Sequence, residues 1–342
     1  MKKLFNVLYV LTEDSYLSKQ GDTISVKVGG TEKVRVPAHT IESIICFGNT
    51  TVSTPLISFC GERGISLTFM GEYGKFYGRI EGPISGNVLL RRAQHFATEN
   101  AETQALIAKL IIAAKIANCR NVLLRASRDS QNSEDTDKLT KASDSLASIA
   151  RQLEYKNDVD ELRGMEGLAA SAYFRVFNYL IRANKDDFYF EERNKRPPKD
   201  NMNAILSFLY TLLANDMRSA LEGVGLDPAR GFLHALRPGR ASLALDLMEE
   251  FRSPLCDRLA LSMVNLKQLS SMHFIKDFSG VTINDDAKKI VLTAWQKRKK
   301  EIIMHPYLSE KLEIGLLPHV QALLLARYLR GDLEVYPPFY WK

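Results

Sequence analysis

The chain has 342 residues, of which 45% are hydrophobic and 25% charged, and its formal net charge is +6. This is the composition of a soluble globular protein with room for two domains and a sizeable core. A mildly basic balance is compatible with nucleic acid without requiring it. No tail is strongly basic, so any basic patch has to be assembled by folding.

The N-terminal MKKLFNVLYVLTEDS has two lysines and a short apolar run. It lacks the long apolar region and small-residue cleavage site of a signal peptide, so it predicts a strand. FNVLYVLT, TISVKV, EKVRVP, ESIICFG, ISLTFM and KFYGRI follow as predicted strands, mostly separated by Gly-containing or polar turns. Residues 54–64 predict a short helix, with Thr54 as cap and Pro55 in its first turn. After about residue 86 the periodicity turns helical, over 87–98 and 101–124. The most apolar run, ALIAKLIIAAKIA, is interrupted by Lys109 and Lys115 and predicts an amphipathic helix, not a membrane span. Residues 125–137, rich in Ser and Asp, predict an exposed loop. Further helices are expected over 138–155 and 158–183, then after the Asp200 cap, from Ser253–Pro254, and over 285–300 and 308–329. The expected fold is α+β with two domains: a small β-rich domain over 1–85 and a large all-α domain over 86–342. The cysteines Cys46, Cys60, Cys119 and Cys256 are scattered. Reduced, buried thiols in a cytoplasmic protein are expected.

Candidate chemistry gathers in GFLHALRPGRASLALDLMEEFR, residues 231–252. From Ser242 a helical plot puts Leu243, Ala244, Leu247, Met248 and Phe251 on one face and Asp246, Glu249 and Glu250 on the other. The plainer reading is a solvated acidic face. Yet Asp246 and Glu249 are helical neighbours of like charge, and a cation would relieve them. His234 stands twelve residues before Asp246. Glu166 lies in an apolar stripe with Ala170, Tyr173 and Phe177 and needs a partner there. Gly164 and Gly167 leave space for another backbone or a ligand, or else Glu166 simply pairs with Arg163 or another base. One imidazole with two or three carboxylates suits Mg²⁺ or Mn²⁺ better than zinc, and that ion serves phosphoryl chemistry. Arg193, Arg196, Arg237, Arg240, Arg252 and Arg258 are candidate phosphate contacts, although for any single one of them a salt bridge to a nearby Glu or Asp is the plainer reading. No phosphate-binding glycine loop and no Ser or Cys nucleophile motif is present.

Six segments, in order, resemble the CRISPR-associated protein one family of adaptation integrases and endonucleases. They are ISLTFMGEYGKFYGRIEG, MEGLAASAYF, KRPPKDNMNAILSFLYTLL, GFLHALRPGRASLALDLMEEFRSPLCDRLAL, GVTINDDAKK and YPPF. The DLMEEFR form looks most like that of subtype I-C systems. The resemblance implies an N-terminal β-sandwich and a helical catalytic domain. It places metal ligands at Glu166, His234 and Glu249 and a further acidic residue at Asp246. Many members have aspartate at the last ligand position, where this chain has Glu249. The resemblance also implies a homodimer, the small partner CRISPR-associated protein two, and double-stranded DNA as substrate. In the implied reaction a DNA 3′-hydroxyl attacks a phosphodiester at the repeat boundary. His234 is then either a metal ligand or a proton shuttle. The competing readings are a non-catalytic nucleic-acid scaffold, a nuclease of branched DNA in repair, and an RNA-processing enzyme.

Overall fold

The structure is a computed structural model that describes residues 6–72, 76–80, 82, 88–194, 197–278 and 280–341. Phe5, Lys75 and Arg196 lie outside the described residues. The chain forms two compact units, 1–85 and 86–342.

The first unit contains β1 (Asn6–Val10), β2 (Ser15–Gln20), β3 (Thr23–Val28), β4 (Thr31–Pro37), β5 (Ile41–Phe47), β6 (Thr50–Val52), α1 (Thr54–Glu62), β7 (Ser66–Met70) and β8 (Phe76–Ile80). One sheet has the order β1-β5-β7-β8 and the other β4-β3-β2-β6. Within the first, β1 and β7 both run parallel to β5 while β8 is antiparallel to β7. Leu17 and Ile24 from one sheet, Ile44 and Leu67 from the other, and Leu56 and Phe59 from α1 share one core. The unit is therefore sandwich-like. The sequence does not announce β2 and β6. In SYLSKQ only Leu17 and Ser15 face inward, so a mostly polar strand hides its alternation, and β6 has only three residues. Ser53, rather than Thr54, is the capping residue of α1, and its side chain makes no cap hydrogen bond.

The second unit contains α2 (Val88–Glu99), α3 (Ala101–Asp129), α4 (Ser133–Leu153), α5 (Val159–Arg175), α6 (Asn201–Val224), α7 (Ser242–Met248), α8 (Arg258–Asn265), β9 (Phe274–Asp277), β10 (Gly280–Ile283), α9 (Asp285–Lys299), β11 (Ile302–Met304), β12 (Lys311–Glu313) and α10 (Leu317–Leu329). It is helical with two small hairpins, β9–β10 and β11–β12, whose strands are too short to show a period in sequence. The loop expected over 125–137 is instead helix on both sides of a short turn. α3 continues to Asp129, and Asn132 caps α4 by accepting the Glu134 N–H at 2.9 Å. The Ser/Asp-rich stretch is a cap and an acidic first turn, both of which stabilise a helix start. α6 is buried along most of its length, starts on the Asp200 side chain and ends at Gly225. The φ of +95° at Gly225 is the left-handed stop that favours glycine. α3 packs on α4 and α5, and α6 packs on α7 and α10. No helix among the described residues is long and apolar enough to cross a membrane. All four cysteines are free and buried.

Candidate active site

Asp246 lies on the helical face expected to meet water, yet its exposure is 0%. The chain before α7 folds back over that face. One Asp246 oxygen accepts the backbone N–H of Phe232 at 2.6 Å and of Leu233 at 2.9 Å. The other accepts the His234 N–H at 2.9 Å and meets His234 Nδ1 at 2.6 Å. A single carboxylate thus satisfies three successive amides and orients a ring. The approach leaves no space for a side chain at Gly231, where a Cβ would lie 2.5 Å from Asp246 Oδ2 and 2.9 Å from Leu243 N. Arg163 ties the same loop to α5 by donating to Leu233 O at 2.5 Å. With Nδ1 held, His234 Nε2 turns toward Glu249 Oε1, 3.9 Å away.

α7 stops at Met248, so Glu249 does not continue its face. The chain turns and enters a π-helical segment, Arg252–Asp257, that runs into α8 without the new start expected at Ser253–Pro254. Glu249 is 1% exposed. Its Oε1 pairs with Arg252 Nη1 at 2.7 Å, and its Oε2 lies 2.7 Å from Lys115 Nζ. The Lys115 ammonium also donates to Glu166 Oε1. Burial pushes the Glu249 carboxyl up, but Arg252, Lys115 and His234 together outweigh it and hold the group at about 2. Burial likewise works against the Lys115 charge, and Glu249 and Glu166 reverse that, leaving its pKa raised.

Glu166, His234 and Glu249 therefore converge, with Lys115 between the two glutamates. Among the described residues no three histidine, cysteine or carboxylate side chains stand as a ready-made metal cage. The donor chemistry nevertheless fits a hard divalent cation that tolerates one nitrogen. His234 Nε2 keeps a lone pair when Nδ1–H is given to Asp246. Glu249 Oε2 is buried and faces the Lys115 ammonium. Glu166 borders a cleft of about 450 Å³. Gly164 and Gly167 do not bring a second backbone close: no atom lies within 4 Å of a Cβ built at either.

Lys115, Arg175, Arg193 and Arg252 bring positive charge to that cleft. Arg193 and Arg252 both stack on Tyr210, with guanidinium carbons 5.2 and 5.0 Å from the ring centre. Tyr210 and Tyr173 donate to the two oxygens of buried Asp257 at 2.7 and 3.1 Å. Burial raises the Asp257 carboxyl to about 6 against the pull of these bonds and of the arginines. A group that binds its proton more tightly when folded loses stabilising effect as pH rises from its unfolded to its folded pKa. Relative to Asp257→Asn, the wild-type chain is expected to lose about 3 kcal/mol of unfolding free energy between pH 4 and 6, and none above. Denaturant titrations of both proteins across that range check the slope.

Of the other candidate arginines, Arg237 is exposed, and Arg258 stacks on Trp341 at 5.3 Å beside Arg298. Neither they nor Arg240 line the cleft. Glu250 is fully buried and holds the C-terminal segment. It accepts from Tyr336 Oη at 2.7 Å, Phe339 N at 2.7 Å and Gln321 Nε2 at 3.1 Å. Burial pushes its carboxyl to about 8. Asn118 on α3 completes the clasp, donating to Glu250 O at 2.7 Å and accepting Trp341 N–H at 2.7 Å.

The sequence reading missed Lys115, Tyr210 and Asp257. Lys115 left a findable signal: Ile111, Ile112, Asn118 and Cys119, one helical turn before and after it, are all buried. A lysine inside such a stripe needs an acidic partner.

The sequence profile of the family described as CRISPR associated protein Cas1 matches residues 8–297. The chain is 48% identical to CRISPR-associated endonuclease Cas1 1 of Chlorobaculum tepidum over 343 aligned residues, covering 100% of both. It is 50% identical to CRISPR-associated endonuclease Cas1 2 of Rhodospirillum rubrum, again over 100% of both. The structure of a Cas1 protein from Thermotoga maritima superposes with a TM-score of 0.83 at 25% identity, covering 98% of this chain and 100% of that one. The chain belongs to the CRISPR-associated Cas1 family.

Proposed function

We propose that this chain is a metal-dependent DNA endonuclease and integrase of CRISPR adaptation. The observation that carries the proposal is His234 facing Glu249, and Glu249 joined through Lys115 to Glu166, which borders a cleft lined by arginines. Glu166, His234 and Glu249 are the residues that hold Mg²⁺ or Mn²⁺. The bound ion supplies charge neutralisation at the attacked phosphate and on the leaving oxygen. Asp246 positions His234 through Nδ1 and keeps Nε2 free for the ion. Arg193 and Arg252, pre-set against Tyr210, receive phosphate oxygens of double-stranded DNA. Arg237, Arg240 and Arg258 extend backbone contact outside the cleft. The attacking group is the 3′-hydroxyl of a captured duplex, and the target is a phosphodiester at the CRISPR repeat boundary. With water in place of the hydroxyl, the same residues nick DNA.

Family membership supports a working unit of Cas1 homodimers with the small partner CRISPR-associated protein two, acting in the cytoplasm. The DLMEEFR segment, residues 246–252, favours a subtype I-C system. The purified chain is expected to nick supercoiled or branched DNA in Mn²⁺ and to stop when the metal is chelated. Cleavage that persists in chelator contradicts the metal site. DNA binding without cleavage in any divalent ion favours a scaffold.

A further inference from the structure

Lys115 projects from the middle of α3 and is 6% exposed. Its ammonium joins Glu166 to Glu249, two of the carboxylates assigned above to the metal. Pairing alone does not account for this position. Glu249 already has a cation in Arg252, which reaches Oε1 at 2.7 Å. The Lys115 contact falls on the other oxygen, Oε2, at 2.7 Å. The ammonium sits where positive charge relieves two facing carboxylates, which is where a divalent cation would bind them. Lys115 also borders the cleft, and its flexible four-carbon stem allows the head to move into it. Arg252 has no such freedom while it stacks on Tyr210.

We propose that Lys115 is a built-in counter-cation of the metal site: it holds Glu166 and Glu249 together in the metal-free protein, and metal entry displaces its ammonium into the cleft. This inference rests on the metal reading above. The charge count supports displacement. Glu166, Glu249 and the Asp246 carboxylate behind His234, set against Lys115 and Arg252, sum to minus one; a divalent ion added beside an unmoved lysine would leave an excess of one positive charge, whereas exchanging the ammonium for the ion brings the sum to zero. The displaced ammonium arrives where a substrate phosphate lies, so one side chain compensates the acids before metal binds and the phosphate afterwards. The arrangement also lowers metal affinity, because only molecules with the lysine withdrawn can bind. If fewer than about one molecule in ten has it withdrawn, the apparent Kd is weakened about tenfold or more.

The test compares wild type with Lys115→Met, which keeps chain length and removes charge. Mn²⁺ is titrated into each full-length protein, and free ion is followed by its paramagnetic resonance signal. The Met variant is expected to bind Mn²⁺ at least about tenfold more tightly. It should also melt below wild type in chelator and recover most of that difference in Mn²⁺. Lys115→Arg, which keeps the charge, should not tighten binding. An unchanged or weaker Mn²⁺ Kd in Lys115→Met overturns the proposal while leaving the metal site standing. Failure of both proteins to take up Mn²⁺ overturns the metal reading and this proposal together. Wild type provides an independent readout that does not depend on the variant folding. Acetylation of Lys115, mapped by mass spectrometry, should rise on adding Mn²⁺, and equal labelling with and without Mn²⁺ overturns the displacement.

Discussion

Replacing Asp246 with alanine is expected to cost about 4 kcal/mol of unfolding free energy and to reduce DNA joining by roughly a thousandfold. The stability loss arises because Phe232, Leu233 and His234 each lose the acceptor of a buried backbone N–H. An unsatisfied buried donor costs about 1–3 kcal/mol, and the loop relaxes enough that the three costs do not add in full. The activity loss has a different origin. His234 loses the bond that fixes its ring, so Nε2 no longer points at Glu249. Asp246→Asn separates the two effects. An amide keeps the shape but presents its NH₂ group to donors on one side, so about 2 kcal/mol is expected from the unfolding curve. Denaturant unfolding and a joining assay on the same preparations measure both. Full activity in Asp246→Ala would show that the His234 loop is held by something else.

Removing residues 336–342 should be the most destabilising change outside the site itself. Tyr336 and Phe339 are 0% and 1% exposed, and burying side chains of this size is worth about 1.5–3 kcal/mol each. Their removal also strips Glu250 of the Tyr336 hydroxyl and the Phe339 amide, and leaves Asn118 without its Phe339 and Trp341 partners. Together these losses are about 6 kcal/mol or more, which lowers the melting temperature by roughly 10 °C. Glu249 is the next residue, so the truncated chain should also lose cleavage activity. Glu250→Gln, by contrast, should be mild. Burial already holds this carboxyl at about 8, so it is largely neutral at pH 7, and a glutamine can accept from Phe339 while donating to the Tyr336 oxygen. Calorimetry on the truncated, Gln and wild-type chains distinguishes these outcomes. A truncated chain that melts like wild type would mean the C-terminal segment contributes nothing to the fold.

That the candidate residues lie near one another is legible in the sequence; that they are buried is not. The order of motifs brought together Glu166, His234, Asp246 and Glu249 from segments far apart in the chain. The helical plot of residues 242–251 was less useful. It puts Asp246, Glu249 and Glu250 opposite the apolar face, and the plainer reading of that pattern, a solvated face, does not hold, since all three are buried. Periodicity assumes that a helix continues and that polar means exposed. α7 ends at Met248, and each carboxylate finds its partners elsewhere: the amides of 232–234, Lys115 on α3, and Tyr336 and Phe339 near the chain's end. Such partners lie up to 134 residues away in sequence, well beyond the reach of local pattern. The same limit explains Lys115, which breaks an apolar run and looks like an ordinary solvent-facing lysine until α5 and the Glu249 turn are packed beside it. Short strands such as β6 and the two hairpins of the helical unit failed for a simpler reason, since three or four residues carry no measurable period.

A phosphoryl-transfer site on DNA at His234, Glu166 and Glu249, as proposed above, predicts metal-dependent joining that needs the imidazole. Its most direct test is strand transfer of a labelled duplex with 3′-hydroxyl ends into a supercoiled plasmid carrying CRISPR repeats. The reaction contains CRISPR-associated protein two and Mn²⁺ or Mg²⁺, with wild type run beside His234→Ala. Joining by wild type that is abolished both by the substitution and by chelation is the expected result. Joining that survives in His234→Ala would contradict a role for the imidazole and place the active site elsewhere.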